Sequence, residues 1–241
     1  MNRRKIILFV LLAFALVLAW NFRERMGIGL NMARQRFAKR TVDDRLQEFG
    51  GAARQRWKPF FEKAGLSYPP KRVVFVAFKE QLVFEVYASH EAGLKFVRRV
   101  PILAASGGLG PKLREGDHQV PEGIYEIESI NPNSAYHVSL RLNYPNAFDR
   151  AQAAKDGRTQ LGGDIMIHGK SVSVGCLALG DEAAEDVFTL AADAGLKNIT
   201  VICSPTDLSQ QKEIPSPASS PAWTMELYQQ IAAKLPVLPA P

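Results

Sequence analysis

Only seven residues separate His168 from Cys176 in "MIHGKSVSVGCLALGD", and all except Lys170 are small or short. A cysteine attacks carbonyl carbon as its thiolate, which an imidazole partner or a helix N-terminus favours. Both aids are available here. Gly175, directly before the thiol, permits a tight turn and close approach of a substrate. The backbone N–H groups of Gly175 and Cys176 could then hold a developing oxyanion. Spacing alone leaves three other readings open. The stretch could be a packed strand that contains a thiol, and Cys176 could be bridged to Cys203. His118, His137, His168 and Cys176 could also be assembled as metal ligands on paper, although no close pair such as CxxC or HxxxH is present. Cys203, in the apolar "TVICS", reads as a buried small hydrophobe.

The elements that must position these groups follow from periodicity. "TVDDRLQEFG" opens with a Thr41…Asp44 capping pattern. Val42, Leu46, Phe49, Ala53, Trp57, Phe60 and Ala64 continue an apolar stripe at helical spacing, broken near Gly50-Gly51 and stopped at Gly65. From Lys71 the texture turns to β. "RVVFVAF" and "QLVFEVYAS" predict a hairpin, and "LKFVRRVPILAAS" a strand pair or one long bent strand. Gly107–Gly123 is a long loop rich in Gly, Pro and charge, and such loops are usually functional. Strands resume at "IYEIESI" and "AYHVSLRL", followed by a surface excursion with a short helix over Phe148–Ala154. "DIMIHG" is then a strand, and Asp181 reads as the N-cap of a helix that Gly195 ends. "NITVICS" is a last strand. Ser220 reads as the cap of a final helix with Pro221 first and Trp223, Leu227, Ile231 and Leu235 on one face. Many strands and few helices predict a mainly β, α+β domain, mostly antiparallel and flanked by helices.

The chain of 241 residues, 46% hydrophobic and 22% charged, has room for one sizeable domain with appendages. Its net charge of +6 is scattered. No long basic run interleaved with aromatics marks a nucleic-acid binder, so no nucleic-acid partner is expected. The amino terminus is more specific. Arg3, Arg4 and Lys5 precede an uncharged, almost wholly apolar run from Ile6 to Trp20. This is the layout of a signal peptide or a short signal anchor. "VLA" (Val17 to Ala19) is a weak cleavage site, and the positive cap keeps the amino end in the cytoplasm. The expectation is an inner-membrane anchor, or secretion, with the remainder in the periplasm.

"HGKSVSVGCLAL" resembles the active-site signature of the L,D-transpeptidases, the YkuD-type catalytic domain of bacterial cell-wall enzymes. "LGPKLREGDHQVPEGIY", "NPNSAYHVSL" and "NYPNAFDRA" are similar to segments of its YafK-like murein branch, so the resemblance spans roughly Lys71 to Pro205. It implies an antiparallel β-sandwich or barrel-like fold with flanking helices, and an enzyme of cell-wall organisation and cell shape that needs no cofactor or metal. Cys176 would be the nucleophile and His168 its general base. The target would be the carbonyl at the L-centre of diaminopimelate in a peptidoglycan stem peptide. An acyl-enzyme would pass to an amine or to water. Ser173, Gly175 and the Cys176 amide would shape the oxyanion region, and Tyr144, Asn146 and Lys112 the substrate groove. The implied organisation is a signal segment (1–22), a helical neck (23–70), the catalytic domain (71–205) and a Pro/Ser-rich tail with a helix (206–241). Two positions depart from the commoner family pattern: Val174 stands where a second His is usual, and Ala178 where an Arg is. In the branch that shares these absences, the resemblance points to the link between peptidoglycan and a wall-attached lipoprotein. The alternative of another class is a non-catalytic wall-binding module with a Cys176–Cys203 disulfide.

Overall fold

The computed structural model describes residues 39–91, 93–210 and 220–236. The chain divides between Arg40 and Thr41 into two units, and the first lies almost wholly outside the described residues, as does the expected signal segment. Among the described residues no helix is long and apolar enough to cross a membrane.

The second unit is built on one curled, mixed sheet. Its strands are β1 (Arg72–Phe78), β2 (Val83–Ser89), β3 (Lys95–Pro101), β4 (Ala104–Ala105), β5 (Gly123–Asn131), β6 (Ser139–Leu142), β7 (Met166–His168), β8 (Leu177–Ala178) and β9 (Ile199–Ser204). They lie in the order β3-β2-β1-β9-β5-β6-β7-β8-β4. Most neighbours are antiparallel, as expected, but β1 pairs in parallel with β9, and β7 with β8. "LKFVRRVPILAAS" divides into β3 and β4, which end up on opposite edges of the sheet.

The unbroken apolar run of β1 has a plain cause: both its faces are covered. Val73, Phe75 and Ala77 enter a large core, while Val74, Val76 and Phe78 enter a smaller one on the other face. The large core is completed by the amino-terminal helix, made of α1 (Val42–Arg45), a π turn (Leu46–Gly50) and α2 (Gly51–Lys63). Phe49, Trp57 and Phe61 are its buried anchors. The expected break near Gly50-Gly51 is this π turn rather than a gap. The helix α3 spans Ala147–Lys155, and α4 spans Asp181–Ala194. The last helix, α5 (Thr224–Lys234), closes the smaller core with Leu227, Tyr228 and Ile231.

Two helix starts differ from expectation. Gly180, with φ +81°, is the N-cap of α4, and Asp181 is its first residue. The Asp181 carboxylate is turned instead to the Lys170 amide (2.9 Å) and ammonium (2.6 Å), so it fastens the loop after β7. For α5 the cap is Trp223, because the Pro221 carbonyl accepts the Thr224 N–H in a preceding turn.

Candidate active site

His168 ends β7, and Cys176 immediately precedes β8, which runs parallel to it. The register sets Ile167 beside Leu177 and His168 beside Ala178. Cys176 therefore falls one step before the pairing, next to Met166, whose N–H points at Sγ (3.4 Å). The thiol in turn donates to the Asp164 carbonyl (3.6 Å). Cys176 is half-buried and unbridged. Burial pushes its thiol above the ordinary value; the Met166 amide and the Lys112 charge pull the other way, while the Asp164 carboxylate adds to the rise.

His168 is 1% exposed. Its Nδ1 lies 2.6 Å from the Gly169 carbonyl, which can only accept, so Nδ1 carries the proton and Nε2 the lone pair. Burial holds the imidazole below its ordinary pKa, against the opposing pull of that carbonyl. No hydrogen bond among the described residues joins the imidazole to Sγ. The resting site thus holds a neutral imidazole at the end of β7 and a neutral thiol just before β8, not a preformed ion pair.

The two amides expected to receive an oxyanion already have partners. Gly175 N–H donates to Ser106 Oγ (2.5 Å), and Cys176 N–H donates to Ser173 Oγ (3.1 Å). Ser173 Oγ also donates to the Cys176 carbonyl (2.6 Å) and receives the Ser106 N–H (3.2 Å). Gly175 adopts φ +99°, a conformation that favours glycine, so the turn before Cys176 uses the residue's freedom directly.

The groove candidates are placed differently from one another. Tyr144 is buried, and its hydroxyl donates to the Leu161 carbonyl (3.2 Å). Asn146 caps α3: Oδ1 accepts the Asp149 N–H (3.0 Å), and Nδ2 donates to the Ile124 carbonyl (2.9 Å). Both line a cleft of about 470 Å³ with Glu128, Arg141 and Arg150. Arg141 links that cleft to the thiol, because it pairs with Asp164 (2.8 Å), whose carbonyl receives the S–H. Lys112 is buried and engaged by Asp117 and the Arg114 carbonyl. It reaches Cys176 through its charge alone. Val174 is exposed, whereas Ala178 is fully buried between His168 on β7 and Ala104 on β4. A long cation has no room there.

Cys203 faces the core of β9 beside Ala77 and Gly123, four strands from β8 in sheet order. Both cysteines are free. The Cys176–Cys203 disulfide considered from the sequence is therefore not formed. A bridge needs Cα atoms within about 7 Å, and the sheet holds these two apart. Among the described residues no three His, Cys, Asp or Glu side chains converge as a metal centre would require. Sequence reasoning passed over Ser106, Tyr136, Arg141 and Asp164, each supplied by a separate segment and marked by no local pattern.

The curled mixed sheet thus carries the imidazole at the end of β7 and the thiol immediately before its parallel partner β8. The family model for the L,D-transpeptidase catalytic domain, YkuD, matches residues 71–202, more than half of the chain. The chain belongs to that family. YafK of Escherichia coli (strain K12) is 34% identical over 119 residues, which are 48% of this chain and 46% of YafK. The chain thus spans about half the length of the curated relatives it matches. The structure of the helical cell shape determining protein Pgp2 from Campylobacter jejuni covers 67% of this chain and 52% of its own, with 21% identity and a TM-score of 0.46. Mycobacterium tuberculosis L,D-transpeptidase 1 covers 55% and 62%, with 19% identity and a TM-score of 0.32.

Proposed function

We propose that this protein is a cysteine acyltransferase or peptidase of peptidoglycan, acting at the L-centre of diaminopimelate in stem peptides. The observation that carries the reading is the half-buried free thiol of Cys176, immediately before the strand that pairs with β7 and its neutral His168, inside the matched family domain. In the first step Cys176 Sγ gives its proton to His168 Nε2 and bonds to the substrate carbonyl carbon. The carbonyl becomes an oxyanion, which collapses and breaks the C–N bond. The leaving amine takes the proton from the imidazolium, and a thioester remains. In the second step an amine or water gives its proton to Nε2 and attacks the thioester carbon, the C–S bond breaks, and the departing sulfur takes the proton back from the imidazolium to restore the thiol.

The resting geometry adds two requirements. Sγ must leave the Asp164 carbonyl to meet Nε2, and the Gly175 or Cys176 amide must exchange its serine hydroxyl for the oxyanion. The cleft of Glu128, Arg141, Asn146 and Arg150 offers charges of both signs for an amino-acid centre. The apolar run behind a positive amino-terminal cap supports work in the periplasm, anchored or secreted. Val174 and Ala178 depart from the commoner family pattern, and the resemblance to the branch that shares these departures supports cleavage or exchange of a peptidoglycan–lipoprotein link as the acceptor chemistry.

Mass spectrometry of muropeptides incubated with the full-length chain and with Cys176→Ala tests this reading. The expected result is new cross-links, released tripeptides or detached protein with the first and none with the second. Equal processing by Cys176→Ala would remove the cysteine mechanism, and no change with either would favour a non-catalytic wall-binding module.

A further inference from the structure

The imidazole of His168 is not buried by the strands alone. The ring of Tyr136 stacks on it, with centroids 4.6 Å apart and planes at 29°. Tyr136 itself is 41% exposed, so one of its faces covers the histidine and the other meets solvent. Its hydroxyl makes no hydrogen bond among the described residues; the ring alone makes the contact.

The segment that carries Tyr136 is fastened on every side. Arg45, on the amino-terminal helix, donates to the Pro132 carbonyl (2.8 Å), and Tyr136 N–H donates to Ser134 Oγ (3.1 Å). His137 adopts φ +78°, rare for a side chain of its size, and its Nε2 is held by Glu185 of α4 (2.9 Å). Gly169 completes the fit. A Cβ there would lie 2.8 Å from the Tyr136 carbonyl oxygen and 2.6 Å from Asp181 Oδ1. Glycine after the histidine is thus what lets the Tyr136 segment settle against the end of β7.

We propose that Tyr136 is a positioning residue for His168, whose ring covers one imidazole face and fixes the plane in which Nδ1 holds the Gly169 carbonyl and Nε2 stays the basic nitrogen. The inference rests on the reading of His168 as general base. Burial already holds that imidazole below its ordinary value, and the Tyr136 ring supplies part of the burial. The charged or titratable groups around it are Cys176 before β8, the Asp181–Lys170 pair beyond Gly169, and the His137–Glu185 pair behind the turn. Its register neighbours, Ser139 and Ala178, are uncharged.

The experiment is an NMR titration of the His168 ring in the full-length chain, assigned with His168→Gln, for wild type, Tyr136→Phe, Tyr136→Ala and Tyr136→Asn. Turnover of isolated muropeptides is measured alongside. Wild type and Tyr136→Phe should titrate alike, below the ordinary value near 6.5, with equal turnover. Tyr136→Ala and Tyr136→Asn should titrate closer to 6.5, with kcat lower by about tenfold or more and KM within about twofold. The ascending limb of their pH–rate profiles should move up by the same interval. An unmoved His168 titration in folded Tyr136→Ala and Tyr136→Asn overturns the proposal, as does a Tyr136→Phe variant that behaves like them. If no variant or wild type turns over muropeptides, the proposed function falls, while the titration still decides the role of Tyr136.

Discussion

At the scale of the residue, the site is a neutral pair whose two members are displaced in opposite directions by the same cause. Burial opposes both thiolate and imidazolium, so charge separation before substrate arrives is disfavoured on both sides. This sets the reactivity of the thiol. Iodoacetamide alkylation of the full-length chain should be slow at neutral pH and climb above pH 9, because the reactive fraction appears only as pH passes the raised thiol value. His168→Gln should leave that profile unchanged, since no hydrogen bond links the ring to Sγ. A fast plateau at neutral pH, lost in His168→Gln, would instead show a preformed thiolate–imidazolium pair. Cys203 is the internal control: it is wholly buried and its thiol is pushed up to about 12, so it should label only on unfolding. The motif marks His168 and Cys176 in the sequence as the candidate pair, but not the state of that pair. That state depends on Asp164, Met166 and Tyr136, which arrive from a loop, a strand start and a turn with no spacing relation to the motif.

At the scale of the element, local signals read well where local chemistry forms the element. The Thr41…Asp44 box caps α1, Gly195 ends α4, and the β1–β2 hairpin pairs residue for residue from Arg72 with Ser89 to Phe78 with Val83. Long-range pairing left no such trace. The parallel contact of β1 with β9 joins residues more than a hundred positions apart, and the two-residue strands β4 and β8 are strands only through their long-range partners, β8 for β4 and both β7 and β4 for β8. The short helix α3 shows how a local cap acquires a global role. Asn146 and Asp149 form its reciprocal cap, yet Asp149 is 8% exposed beside Tyr125, and burial raises its carboxyl to about 6. Its folded-state value lies above the unfolded one, so the protonated form favours folding. That contribution is complete below about pH 4 and is lost as pH rises through about 6. A shift of this size corresponds to about 3 kcal/mol at most. The urea midpoint of Asp149→Asn, followed from pH 4 to 7, should therefore gain on wild type as pH rises. A constant difference across that range would show that Asp149 does not titrate there.

At the scale of the whole molecule, the helix before the matched domain is part of the same core. Residues 71–202 define the family match, but Phe49, Trp57 and Phe61 of the preceding helix are buried among side chains of the sheet and α4. Polar contacts fix the same junction. Trp57 Nε1 donates to the Asp186 carbonyl (2.9 Å), Arg54 pairs with Asp193 (2.7 Å), and Asp186, 1% exposed, is held between Arg56 (2.7 Å) and Arg98 (2.6 Å). Removing the helix would open a large apolar face and leave Asp186 with one guanidinium in place of two. It would also release the Pro132 carbonyl from Arg45 and uncover Phe49's neighbour His137, and so loosen the turn that carries Tyr136. Stability and the geometry of the candidate site are therefore coupled through this helix. Trp57→Ala should cost about 3–5 kcal/mol by cavity formation. A fragment beginning at Lys71 should fail to show a cooperative thermal transition by circular dichroism. A fragment that unfolds at the temperature of the full chain would show that the matched domain closes its own core, and the neck would then be a connector only.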